Sequence, residues 1–278
     1  MKPFLKIVHL VLAILGTQHS FADIEILSLY SHVFNNTRSI RVYLPPGYSV
    51  GGKRYPILYL TDGIASFHAY QLEKVVDSLI LHDRIKPLII VGMDNGGSTK
   101  ESVNAVRDRA NEYLPWSDLM ETDSALVNFS PKGRQFQHFL FTEIIPLVEK
   151  KYRTKSGRKN IALGGASYGA LVSLYTATKN PNKIGHLLLE SPSLYVHDHQ
   201  IFKESLERLV GIKTYIGTGT MEGDSEAIQE MALDDCGRLK SRLITRNKVH
   251  LEISPGADHS YESFASRFPI ALEFLFND

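Results

Sequence analysis

Cysteine is nearly missing from this chain. Cys236 stands alone, so an intramolecular disulfide is impossible and zinc sites built from several thiolates are excluded. An excess of charge of one sign is missing as well. The 31 Lys and Arg against 30 Asp and Glu leave a formal net charge of +1, which offers no nucleic-acid footprint and no general attraction to anionic partners. Beyond the N-terminus there is no apolar run long enough to cross a bilayer, so no stable membrane insertion of the mature chain is expected. Internal repeats and low-complexity tracts are absent too. The histidines show no HExxH or comparable spacing and read mostly as scattered loop or surface residues; neither a metal nor an organic cofactor is implied. What remains is an ordinary globular composition, 43% hydrophobic and 22% charged, in 278 residues, enough for one large domain with a substantial core.

The N-terminus has its own pattern. Lys2 and Lys6 precede the apolar run Ile7 to Leu15, and Ser20-Phe21-Ala22 follows. A basic start, a short apolar segment and a small-x-small site describe a secretory signal peptide at residues 1–22, leaving a domain at 23–278. The expectation is an exported protein, periplasmic or secreted; a buried N-terminal helix of a cytoplasmic protein is the alternative.

Further on, Ile24 to Leu44 alternates apolar and polar residues on either side of Asn35-Asn36-Thr37, the pattern of a β-hairpin. Short apolar runs at 56–61, 87–93, 161–163, 186–189, 213–217 and 250–253 then alternate with helical patterns, one of them carrying Tyr70, Val75, Leu79 and Ile80 on its apolar side. Strands apolar on both faces, separated by helices, imply a mostly parallel sheet in a three-layer α/β domain, with reactive groups at the carboxyl ends of the strands. The segment Asp94 to Lys132 breaks the rhythm. Its length and its Tyr113, Trp116 and Phe129 suggest a substrate-covering segment.

Gly165-Ala166-Ser167-Tyr168-Gly169 matches G-x-S-x-G, with an apolar strand entering and an Ala- and Leu-rich helix leaving, the setting of a nucleophile elbow. Its glycines are expected to let the chain turn sharply and, being small, to avoid clashes where strand and helix meet. A serine hydroxyl needs a base. His259, in Gly256-Ala257-Asp258-His259-Ser260, follows the last strand and obeys the order Ser…acid…His; His250 lies at a strand start, and His197 and His199 precede the acid. The acid should follow the strand before it, where Glu222 is preferred and Asp224 is the alternative; the other acid, or Ser225, would cap the next helix. An oxyanion needs two backbone N–H groups, expected at Tyr168 and, in the loop after the 56–61 strand, at Ile64.

On these residues, together with VYLPPGYSVGGKRYPILYLTDG (42–63), RANEYLP (109–115), IIPLVEKKYRT (144–154) and SPSL (191–194), the chain resembles the putative-esterase family of α/β hydrolases. It looks closest to the esterase D-like branch with siderophore trilactone hydrolases and related exported esterases. The resemblance runs over about residues 24–276. It implies an α/β-hydrolase fold, a mostly parallel central sheet with an N-terminal antiparallel hairpin, and a small-molecule ester as substrate. It puts the nucleophile on Ser167, the base on His259 and the acid on Glu222. The family's R-x-x-E falls on Arg109 and Glu112: Arg109 could meet an anionic substrate group, or the two could pair and order the loop. Trp116, with Tyr113 and Tyr168, could stack on a sugar or phenolic ring. Three activities fit: a broad or siderophore-directed carboxylesterase, an exported acetyl or feruloyl esterase acting on carbohydrate, and a non-catalytic binding protein.

Overall fold

The computed structural model describes residues 22–118 and 129–277. The expected signal peptide lies outside them apart from Ala22, as does part of the long segment. β1 (Asp23–Ser31) and β2 (Asn36–Leu44) form the hairpin, turning through Asn35 at φ 54°, a left-handed conformation that asparagine tolerates. The remaining strands are β3 (Ile57–Thr61), β4 (Ile89–Met93), β5 (Ile161–Ala166), β6 (His186–Glu190), β7 (Lys213–Met221) and β8 (Lys248–Asp258). They lie in one eight-stranded sheet of order β1-β2-β4-β3-β5-β6-β7-β8. Pairing is antiparallel from β1 to β4 and parallel from β4 to β8.

The helices are α1 (Gly63–Ala69), α2 (Leu72–Leu81), α3 (Ala105–Tyr113), α4 (Phe136–His138), α5 (Ile145–Lys151), α6 (Tyr168–Lys179), α7 (Val196–His199), α8 (Glu226–Leu243) and α9 (Tyr261–Phe276). A π-helical stretch, Phe139–Ile144, joins α4 to α5. Side chains alternate across each strand, so the sheet has two buried faces. On β3, Ile57 and Tyr59 join Val148, Leu171 and Leu239 on one face, while Leu58 and Leu60 join Val76, Phe268 and Leu272 on the other. Each fully buried aliphatic or aromatic side chain contributes about 1.5–3 kcal/mol, and both faces carry many. The structure is therefore a three-layer α/β-hydrolase fold, with α1, α2 and α9 on one side of the sheet.

Part of the segment expected as a substrate cover, residues 119–128, lies outside the described residues; the described part packs into the fold. Asn95 caps a 3-10 turn at Gly96–Ser98, Asn104 caps α3, and Tyr113 (0% exposed) and Trp116 (7%) pack into the core. The apolar helix before β4 is two helices. Gln71, at φ 45°, breaks it, and buried Tyr70 packs on Phe268 at the break, with ring centroids 4.9 Å apart. α2 then buries Leu72, Val76 and Leu79, and the expected apolar residues Val75 and Ile80 pack against the same core.

Candidate active site

β5 is buried from Ala162 to Ala166 and ends at Ser167, which takes φ 59° and ψ −125° before α6 begins at Tyr168. A non-glycine residue there stores about 1–3 kcal/mol of backbone strain, tolerated where the surroundings fix it. Here the Ser167 N–H donates to the Glu190 carbonyl at 2.9 Å and the Ser193 N–H donates to the Ser167 carbonyl at 3.4 Å. Of the two purposes expected of the flanking glycines, the geometry fits the avoidance of clashes and not the turn. Neither Gly165 nor Gly169 has a positive φ; the turn is made by Ser167 itself. A Cβ at Gly165 would sit 1.9 Å from Thr61 Oγ1, and one at Gly169 2.2 Å from the same atom, so the glycines admit the end of β3. The Ser167 Oγ rests 3.3 Å from the Ser193 Oγ.

β7 and β8 run further than their apolar cores suggest, pairing up to Met221 and Asp258 with a register shift between Gly219 and Met221. Irregularities of this kind re-aim side chains at the ends of strands. This ribbon delivers Glu222 and His259 together: the His259 Nδ1 lies 2.6 Å from the Glu222 Oε2. The other carboxylate oxygen accepts from the Ser191 hydroxyl at 2.5 Å and the Gly219 N–H at 2.6 Å. Burial pushes the Glu222 carboxyl up, but the bonds from His259, Ser191 and Gly219 outweigh it and hold its pKa below the usual range. Asp224 makes no such contact; it is exposed, and Ser225 caps α8 by accepting from the Ile228 N–H. Behind Glu222 stands a buried cation, Arg267 of α9 (1% exposed). Its Nε donates to the Glu190 Oε2 at 2.9 Å and its Nη2 to the Ser191 Oγ at 3.1 Å.

Tyr168 is the first residue of α6, where a backbone N–H has no partner within the helix and the helix dipole is positive. Ile64 is placed differently. Its backbone amide is one of the groups that lower the pKa of the buried Asp94 carboxyl, against a desolvation that prevails and raises it, and Ile64 does not line the cavity beside Ser167.

Arg109 is paired with Asp62 and not with Glu112. Its Nε and Nη2 each donate to an Asp62 carboxylate oxygen at 2.8 Å, and Nη2 also reaches the Ala166 carbonyl at 3.4 Å. Asp62, at φ 54° between β3 and α1, further receives the Asn95 side-chain amide at 2.6 Å and gives its own N–H to the Tyr113 hydroxyl at 2.9 Å. Glu112 belongs to another pair: Arg38 donates to it at 2.5 Å and the Gly96 N–H at 2.7 Å. Trp116 packs edge-on to Tyr175, centroids 5.3 Å apart, and is not among the residues lining the cavity.

The cavity measures about 510 Å³. Ser167, Glu222 and His259 line it along with Tyr168, Tyr195, Leu194, Ile228, Met231 and Ala232. Asp224 and Asp235 also line it, while among the described residues no lysine or arginine does. Asp235 pairs with His199 at 3.1 Å, at the end of a turn in which His197, Asp198 and His199 all have positive φ. Cys236 reaches the cavity wall too, but burial pushes its thiol up to about 12, so it stays protonated and unreactive at neutral pH. Among the described residues no cluster of His, Cys, Asp and Glu could hold a metal, and no helix is long and apolar enough to cross a membrane.

Sequence reasoning did not find Asp62, Ser191, Ser193 or Arg267 as parts of the site. Ser191 and Ser193 lay inside the SPSL run, whose signal was resemblance alone, and Arg267 belongs to no motif.

The model of the family described as Putative esterase matches residues 31–275. In sequence, the chain is similar to the uncharacterized protein YbbA of Bacillus subtilis (strain 168), 27% identical over 256 residues, covering 90% of this chain and 96% of that one. It is also similar to an endo-1,4-beta-xylanase/feruloyl esterase of Xylanibacter ruminicola, 26% identical over 240 residues, 82% of this chain but 29% of that longer one. Among solved structures, an IroE-like serine hydrolase from Shewanella oneidensis superposes with a TM-score of 0.75 at 20% identity, covering 91% of this chain and 80% of that one. The enterobactin esterase FES from Shigella flexneri gives 0.66 at 16% identity, covering 91% and 58%. A ferulic acid esterase gives 0.67 at 17%, covering 92% and 98%. At such identities these likenesses speak to the fold.

Proposed function

The chain belongs to the Putative esterase family and is an ester-hydrolysing enzyme, and on that premise we propose that it works by acyl transfer through Ser167, His259 and Glu222. One observation carries the reading: an imidazole held at 2.6 Å by a buried carboxylate opens onto the same cavity as a serine strained into an elbow. Ser167 Oγ attacks the ester carbonyl carbon while the His259 Nε2 takes its proton. Glu222 keeps the Nδ1 proton in place and stabilises the imidazolium. The oxyanion faces the Tyr168 amide at the positive end of α6. The alcohol departs with the proton from His259, and water, deprotonated by the same nitrogen, attacks the acyl carbon and frees Ser167. In the free enzyme the Ser167 hydroxyl rests beside Ser193; catalytic hydrogen bonds commonly tighten only when substrate is bound.

The cavity wall favours uncharged acyl or alcohol groups. Apolar Leu194, Ile228, Met231 and Ala232 and the rings of Tyr168 and Tyr195 suit an aliphatic or aromatic ester, while Asp224 and Asp235 repel anions. Arg109, the cation expected to receive an anionic group, is engaged by Asp62. A feruloyl- or acetyl-type ester therefore fits better than a polyanionic ferric trilactone. The signal-like N-terminus supports export, and N-terminal sequencing of exported protein should begin at Asp23.

Hydrolysis of p-nitrophenyl butyrate by the chain from Asp23 onward, beside Ser167→Ala, tests the mechanism. Turnover should fall by a factor of at least about 10³ in the variant, since members of such a triad act as a unit. More than a few per cent of residual activity would overturn it, and absence of turnover on this ester, on feruloyl and acetyl esters and on a trilactone would favour a binding protein. Rates on a methyl ferulate, an acetylated xylan and a ferric trilactone then rank the substrate classes.

A further inference from the structure

Ser191 is a serine where a glycine would be more comfortable. It follows β6 at φ 39°, in the left-handed region, and is 5% exposed. A residue without Cβ would occupy this position with less strain. What glycine lacks is the hydroxyl, and that hydroxyl is fully engaged: it donates to the Glu222 Oε1 at 2.5 Å and accepts from the Arg267 Nη2 at 3.1 Å. The backbone holds it there, since the Ser191 N–H donates to the Gly217 carbonyl at 2.8 Å. A buried guanidinium, a hydroxyl and a carboxylate thus form a directed chain ending on the group that orients His259, and chains of this kind polarise one another in a low-dielectric interior. Nothing in the fold requires the serine; the chemistry of the carboxylate does.

The Arg267 Nη2 also lies 3.9 Å from the Glu222 Oε1, so its charge reaches the carboxylate without the serine. We propose that Ser191 is a positioning residue for the hydrolytic reaction, its hydroxyl fixing the face that Glu222 presents to His259. The inference rests on the Ser167–His259–Glu222 reading. Other ionisable groups facing this chain are Glu190 of β6, paired with Arg267, Glu252 and Asp258 of β8, the cavity acids Asp224 and Asp235, and Cys236 of α8. None of them donates a hydrogen bond to Glu222.

Ser191→Gly is the decisive variant, because it removes the hydroxyl while relieving the backbone. Its melting temperature should equal or exceed that of the parent. Its kcat on p-nitrophenyl butyrate should fall about tenfold with KM little changed, an interaction to a charged group being lost. With one donor gone, negative charge concentrates on the oxygen facing the imidazole, so the acidic limb of kcat/KM should move up by a few tenths of a pH unit. Proton NMR of the free protein gives a readout independent of turnover: the far-downfield His259 Nδ1 proton should change its shift in Ser191→Gly. Ser191→Ala should give the same kinetic changes with lower stability. The proposal is overturned if Ser191→Gly keeps kcat within twofold and leaves both the acidic limb and the downfield proton unmoved. Persistence of parent-level turnover in Ser167→Ala would instead overturn the mechanism, while the NMR comparison would still decide whether Ser191 governs the Glu222–His259 pair.

Discussion

At the residue scale, the G-x-S-x-G pattern is about room as much as about the serine. Gly165 and Gly169 both face Thr61 Oγ1, a buried oxygen that itself has no hydrogen-bond partner. Gly169→Ala should cost more than about 2 kcal/mol and most activity, as overpacked sites of this kind do. Thr61→Ala removes the obstructing oxygen without breaking a hydrogen bond, so the double variant should recover part of both losses in a urea-unfolding and turnover comparison. The elbow at Ser167 and the place of His259 after the last strand were legible in the sequence because a strand-elbow-helix pattern and chain order mark them locally. The pairing of Arg109 was not legible because its partner, Asp62, lies 47 residues away and nothing local announces it. The choice between Glu222 and Asp224 depends on the register shift where β7 meets β8, which no single strand's pattern displays.

At the element scale, α3 acts as a strut. Arg109 ties it to the junction of β3 and α1 through Asp62, and Glu112 ties it to β2 through Arg38, a pair with 0% and 3% side-chain exposure. Arg109→Gln should leave the buried Asp62 carboxylate without its cation and destabilise the protein by about 1–3 kcal/mol, the cost of an unsatisfied buried acceptor, its partner being partly exposed. Urea unfolding checks the stability, and a fall in kcat larger than any rise in KM would show that the loop beside the elbow has shifted. A change in KM confined to anionic esters would instead mean that Arg109 meets substrate. The order of strands and helices was legible because apolar runs and turn residues alternate cleanly. The segment carrying α3 was not, because its burial comes from polar and aromatic contacts across the fold rather than from a period in its own sequence. The apolar face before β4 was legible, but the break at Gln71 was not, because the apolar pattern continues through a residue whose left-handed backbone interrupts the helix.

At the scale of the whole molecule, two buried carboxylates pull stability in opposite directions with pH. The Glu222 pKa is lowered in the folded state, so its stabilisation is present above the usual carboxylate range and is lost as pH falls through its folded value. The Glu190 carboxyl is pushed up to about 7 by burial, which outweighs the pairing with Arg267. The folded protein therefore holds a proton that the unfolded chain has released, and stability should decline as pH rises from the usual carboxylate value towards about 7, then flatten. From that shift the decline amounts to about 3 kcal/mol. Urea midpoints measured at intervals from pH 4.5 to 8 should show this slope in the parent and lose it in Glu190→Gln; an unchanged slope in the variant would assign it to another group.

The acidic wall of the cavity has a consequence for the end of the catalytic cycle. Each turnover creates an anion where a neutral ester stood, in a cavity lined by Asp224 and Asp235 and, among the described residues, by no lysine or arginine to detain it. Hydrolysis thus converts a guest that the walls accept into one they expel, and the acid just formed should be a feeble inhibitor of the enzyme that made it.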